Sequence, residues 1–205
     1  HYPRSGSVAE VSRARRIFWY IVLGTVPAAV AGYFLESYAE TTFRSPYLMG
    51  AMLILVGVLM WAGERRANLT RGLETLSLGD AVLIGTAQAV ALVPGVSRSG
   101  ITITAGLFRG MTREAAARFT FLLSTPIIAG AAVKKLLALR DAPLNNGSLE
   151  AFALGIGVAA ICSYLVIAFF LRYLQTRTLK IFIYYRIAFG IVVLLLAFLQ
   201  AGQAR

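Results

Sequence analysis

Residues 78–110 read LGDAVLIGTAQAVALVPGVSRSGITITAGLFRG, two apolar pieces interrupted at Pro94-Gly95. Residues 78–93 and 99–110 are each too short to cross a bilayer. At 1.5 Å per residue they reach roughly 24 and 18 Å, against a hydrocarbon core of about 30 Å. Two short helices joined by a Pro-Gly break predict a re-entrant hairpin, which enters and leaves by one side of a membrane. Such a turn persists only where protein or a wet cavity satisfies its backbone.

The flanking sequence supplies the membrane. Hydrophobic residues make up 58% of the 205 and charged residues only 14%, whereas a soluble domain is about 45–50% apolar. Apolar runs at 17–35, 47–61, 119–139, 151–171 and 181–200 are predicted to span. Residues 1–16 form a basic cytoplasmic segment, and 141–150 (DAPLNNGSLE) a loop. Pro46 can open a helix at its first turn. Pro27 and Pro126 fall inside spans, where neighbouring helices can compensate the freed carbonyl. Gly and Ala in 151–171 permit close helix approach there. The expected fold is all-α: a single polytopic membrane domain of five spanning helices and one re-entrant pair, one and a fraction of two inverted repeats.

The net charge is +11. The basic residues lie in short loops, where they orient the chain and meet anionic lipid. No basic-aromatic stripe points to nucleic acid. With the amino end in the cytoplasm, thirteen Lys and Arg fall inside and five outside, as the positive-inside bias requires. The lone Cys162 reads as a small buried apolar residue, and His1 has no assigned role. No metal-ligand cluster is visible.

Arg98 falls at the turn of the hairpin. An arginine at membrane depth costs at least ~2.5 kcal/mol on insertion scales and needs a partner. No acidic residue is near in sequence, so a bound anion is the natural one. Ser97 and Ser99 offer hydroxyls, and the helix start offers free N–H groups. Pro94 and Gly95 turn the backbone, Gly100 allows close approach, and Thr102 follows one turn later. A guanidinium pairs two phosphate oxygens at once. Together these residues read as a phosphate cradle. The plain alternative is that Arg98 snorkels from a helix end and the serines merely cap it. Gln88 could line the same cavity or pack between helices. Arg186, near the start of the last span, reads as snorkelling, and Tyr184 and Tyr185 as interfacial aromatics.

Residues 88–102, QAVALVPGVSRSGIT, resemble the second signature of the undecaprenyl-diphosphate phosphatase family of the bacitracin-resistance type. The pattern Pro-Gly-x-Ser-Arg-Ser-x-x-Thr is matched without departure. Residues 118–126 (RFTFLLSTP) and Tyr185-Arg186 also resemble the family. The first signature, a Glu-rich stretch followed by Pro-x-Ser-Ser-x-x-His, is not found. The expectation is therefore a carboxyl-terminal portion of a family member, with little or no activity alone.

The resemblance implies a phosphoanhydride hydrolase of the bacterial plasma membrane. It would convert undecaprenyl diphosphate to the monophosphate, recycling the cell-wall lipid carrier. It implies Arg98, Ser97, Ser99 and Thr102 as catalytic residues, one serine being a candidate nucleophile. Pro94, Gly95, Gly100 and Gln88 would bind substrate. A divalent cation, Mg or Ca, is implied too, with no ligands identifiable in this chain. The partners expected are the polyprenyl diphosphate and membrane lipids; a homodimer is one arrangement. The rival class is a transporter or flippase for an anionic lipid or small anion, because half-helices also build transport sites.

Overall fold

Long apolar runs continue into their polar flanks, because a helix satisfies its own backbone hydrogen bonds in lipid and in water alike. A computed structural model describes residues 8–41, 45–65, 68–139 and 146–203. The helices are α1 (Val8–Thr41), α2 (Pro46–Glu64), α3 (Leu78–Val90), α4 (Arg98–Phe108), α5 (Arg113–Leu139), α6 (Asn146–Thr176) and α7 (Lys180–Gln203). A 3-10 turn, Leu73–Thr75, precedes α3. Among the described residues there is no strand, only an isolated bridge between Arg71 and Met111. Among the described residues five segments are long and apolar enough to cross a membrane: Glu10–Leu35, Pro46–Glu64, Arg113–Leu137, Glu150–Thr176 and Lys180–Gly202. Helix α6 starts at Asn146, inside the stretch expected to be a loop; residues 140–145 and His1 lie outside the described residues.

Local chemistry explains the helix starts. Pro46 occupies the first turn of α2. Ser77 and Asp80 form a capping box at the start of α3, each side chain bonding the other's backbone N–H. Thr112 Oγ1 accepts from Ala115 N and caps α5. Pro27 and Pro126 lie within unbroken helices.

Close packing runs through particular glycines. A Cβ on Gly85 would fall on the Gly24 carbonyl, and one on Gly24 would stand 2.8 Å from Ala81 O, so α1 and α3 cross backbone to backbone. Helices α2 and α7 meet through Gly50, Gly57 and Gly190; a Cβ on Gly190 would stand 2.9 Å from Gly50 O. Gly155 and Gly157 of α6 do not serve this purpose. Among the described residues nothing lies within 4 Å of a Cβ on Gly155 or Gly157. Helix α6 packs on α5 near its carboxyl end, where the Phe170 ring meets Phe121 edge-on. Cys162 is accordingly exposed on α6 rather than buried.

The two limbs of the α3–α4 hairpin are clipped together at their base. Arg71 N donates to Gly110 O, and Thr112 N donates to Arg71 O. The Asp80 side chain is fully buried and accepts from both Arg71 and Arg109. Burial alone would raise its pKa. Hydrogen bonds from Arg71, Arg109 and Ser77 outweigh that and hold the carboxyl well below the usual carboxylate range. Nearby, Glu64 accepts both Arg113 Nε and Nη2 and the Leu179 N–H. Arg16 donates to Glu74 O, and Gln175 to Glu114. These contacts gather residues of the basic loops at one end of the bundle.

A hydroxyl and guanidinium cradle inside the bundle

Six residues separate the last full turn of α3 from Ser97, and their backbone sets the site. Successive i→i+3 turns end in Gly95, at φ +90°, and Ser97, at φ 62° and ψ 118°. Among the described residues Ser97 is the only non-glycine residue with positive φ. Such a conformation costs of order 1–3 kcal/mol and persists only where its surroundings over-determine it. Here Ser97 Oγ accepts from Gly100 N at 3.2 Å and caps α4. Gly95 packs against Met49 of α2 so closely that a Cβ would collide with the Met49 carbonyl. Met49 is 15 residues from Glu64, or about 22 Å along α2 from the basic end. The loop therefore lies deep within the bundle.

The guanidinium that holds this loop is that of Arg186. Its Nη2 donates to Gly95 O at 2.8 Å and to Val96 O at 2.9 Å. The residue is only 8% exposed, which corrects the reading of Arg186 as a snorkelling side chain. Its Nε is buried without a partner. Its Nη1 lies 3.2 Å from where a Cβ on Gly100 would stand, and Ser97 Oγ is equally near that point. Gly100 thus leaves room for the guanidinium.

A cavity of about 350 Å³ opens beside these groups. Ser97, Ser99, Gly100 and Arg186 form its polar part. Ile103, Phe121, Val166, Ile167, Phe170 and Phe182 line the rest, and Tyr185 stands beside Arg186. Hydroxyls, a guanidinium and an apolar groove suit a ligand with an anionic head and a hydrocarbon tail.

The other expected site residues are placed differently. Arg98 is exposed, and its side chain lines a separate small cleft with Gln88, Ala28 and Ile127. Ser97, whose backbone is non-helical, and Ser99 line the cavity, whereas Arg98 between them lines the other cleft. Gln88 is 2% exposed; its Oε1 accepts from Ser124 Oγ at 3.1 Å, and its Nε2 has no partner. Thr102 is buried and donates back to Arg98 O at 2.7 Å, bracing the first turn of α4. Pro94 sits in the turn itself. Sequence reasoning missed Arg186 as part of the site, although an arginine inside an apolar run is itself the signal that could have found it.

The divalent cation suggested by the resemblance finds no donor set here. Among the described residues no three His, Cys, Asp or Glu side chains could hold a metal ion. Asp80 and Glu64 are committed to arginines at the basic end. No step is assigned to the cation.

Fold and site together define a multi-pass helical membrane protein with a buried guanidinium and two serines lining a cavity in its helix bundle. The chain belongs to the family described as bacitracin resistance protein BacA, whose model matches residues 4–192. It is 46% identical over 182 residues to an undecaprenyl-diphosphatase of Pelotomaculum thermopropionicum, covering 89% of this chain and 67% of the relative. It is 44% identical over 196 residues to an undecaprenyl-diphosphatase of Moorella thermoacetica, covering 96% and 74%. A third, from Elusimicrobium minutum, is 45% identical over 197 residues with the same coverage.

Proposed function

We propose that this protein hydrolyses undecaprenyl diphosphate to undecaprenyl phosphate and inorganic phosphate in the bacterial inner membrane. The observation that carries the reading is the buried Arg186 guanidinium. It is anchored on the loop carbonyls, leaves Nε unpartnered, and stands with two serines at one part of an apolar groove. Relatives at 42–46% identity that carry the name undecaprenyl-diphosphatase support the same chemistry.

In this reading α3 and α4 form a re-entrant hairpin, supported by the clip that holds both limbs at the basic end. The polyprenyl chain lies along Ile103, Phe121, Phe170 and Phe182. The diphosphate meets Ser97, Ser99 and the free N–H groups of Arg186. Phosphoryl transfer needs its charge stabilised by positioned donors, which these groups provide without reorganising. Hydrolysis breaks the bond between the bridging oxygen and the terminal phosphorus. The lipid monophosphate leaves with the bridging oxygen, and the oxygen of water ends on inorganic phosphate. Thr102, Gly95 and Pro94 hold the loop in shape.

The test is phosphate release from polyprenyl diphosphate by the full chain in detergent, where no gradient exists. Ser97→Ala and Arg186→Ala should each lower turnover by at least about 100-fold, the cost of one lost transition-state donor. Release that neither substitution changes would refute the assignment, and flux in liposomes without hydrolysis would favour a transporter.

A further inference from the structure

We propose a second anion site, at the basic end where α2 stops and α7 starts, that takes the phosphodiester headgroup of an anionic phospholipid. A cavity of about 330 Å³ opens there and shares no lining residue with the cradle. Arg65 and Lys180 both face it, and neither has an ion-pair partner among the described residues. The Arg65 guanidinium is held over the Trp61 ring, its Cζ 4.2 Å from the ring centroid. An aromatic face fixes the cation without consuming its charge.

Glu64 lines the same cavity but does not oppose an anion. Its carboxylate is spent on Arg113 and on the Leu179 N–H. The pair Glu64–Arg113 is neutral, so the cavity keeps the two charges of Arg65 and Lys180. Thr178 adds a hydroxyl. Lys180 is the first residue of α7, where the helix dipole is positive.

The walls choose between a lipid and a free anion. Trp61 and Tyr184 are exposed and line the cavity. Amphipathic rings of this kind sit at the level of the headgroups, with their apolar parts toward the acyl chains. Inorganic phosphate has no use for them, whereas a glycerophospholipid uses both parts. This proposal is independent of the hydrolase reading, because its readout is lipid retention.

Delipidated full-length chain in mild detergent, titrated by native mass spectrometry and followed by thermal unfolding, decides it. Short-chain phosphatidylglycerol should bind and raise Tm, while phosphatidylcholine and millimolar inorganic phosphate should do neither. The double variant R65Q/K180Q should bind phosphatidylglycerol about thirtyfold more weakly, from two basic contributions of about 1 kcal/mol each at 1.4 kcal/mol per tenfold. R65K/K180R should stay within threefold of the parent, and Lys180→Gln alone, which disturbs the fold least, should lose about fivefold. Equal binding of phosphatidylcholine, undiminished binding by the glutamine variants, or protection by inorganic phosphate alone would each overturn the proposal.

Discussion

Replacing Arg186 separates the two tasks the structure gives it. Arg186→Ala removes the donor to the Gly95 and Val96 carbonyls. Each buried acceptor left unpaired costs about 1–3 kcal/mol, so the two carbonyls together cost about 2–6 kcal/mol. The adjoining cavity of about 350 Å³ can admit water to these carbonyls, so the stability loss should lie near the lower limit, about 2 kcal/mol. Loss of one preorganised donor to the transferring phosphoryl group should lower kcat by about 10²–10³. Thermal unfolding reads the first effect and phosphate release from polyprenyl diphosphate the second. Arg186→Lys keeps the charge and can still donate to a loop carbonyl. It should recover most of the Tm yet remain at least about tenfold slow, because an ammonium cannot serve carbonyls and phosphate in one plane. Added guanidinium should restore part of the turnover of Arg186→Ala but none of that of Ser97→Ala. An alanine variant within threefold of the parent, or a lysine variant with full activity, would show that the guanidinium does not act on the substrate.

Gly100→Ala places a methyl 3.2 Å from Arg186 Nη1 and Ser97 Oγ; turnover should fall about tenfold with little change in Tm, and unchanged turnover would mean that this spacing is irrelevant. Gly190→Val forces a side chain toward the Gly50 carbonyl; overpacking of about 1–3 kcal/mol should lower Tm, without altering the KM of whatever protein remains folded. Asp80 is ionised and its folded pKa is depressed, so its contribution is present above the unfolded value of about 3.9 and is lost as pH falls through the folded one. Asp80→Asn should therefore lower Tm at pH 7 and flatten the decline of Tm below pH 4. The loss should be smaller than the 3–5 kcal/mol typical of breaking a buried pair (roughly), because Arg71 and Arg109 keep 32% and 46% of their side-chain exposure.

The break between the short helices α3 and α4 was legible because Pro94-Gly95 interrupts the apolar stretch there. The five spans were legible for the complementary reason, since their apolar runs match the thickness of lipid. The loop residues could be named from their chemistry, but not the direction each faces, which the turn into α4 decides. Arg186 was hidden because its partners lie 91 and 90 residues away in sequence. The glycines posed the same difficulty. Gly155 and Gly157 of α6 permit a close approach but make none among the described residues, whereas the close crossings occur at Gly24 with Gly85 and at Gly50 with Gly190. Composition shows that a helix can approach another closely, and only the tertiary arrangement shows whether it does.

The clip beneath the hairpin also bears on how the protein is made. Asp80 leaves the ribosome nine residues after Arg71 but 29 before Arg109. Until Arg109 follows, the carboxylate has one of its two cations, and the first limb has no second limb to cover its polar turn. The pairing of Asp80 is therefore complete only when both limbs have been made, which ties the folding of the first limb to the second.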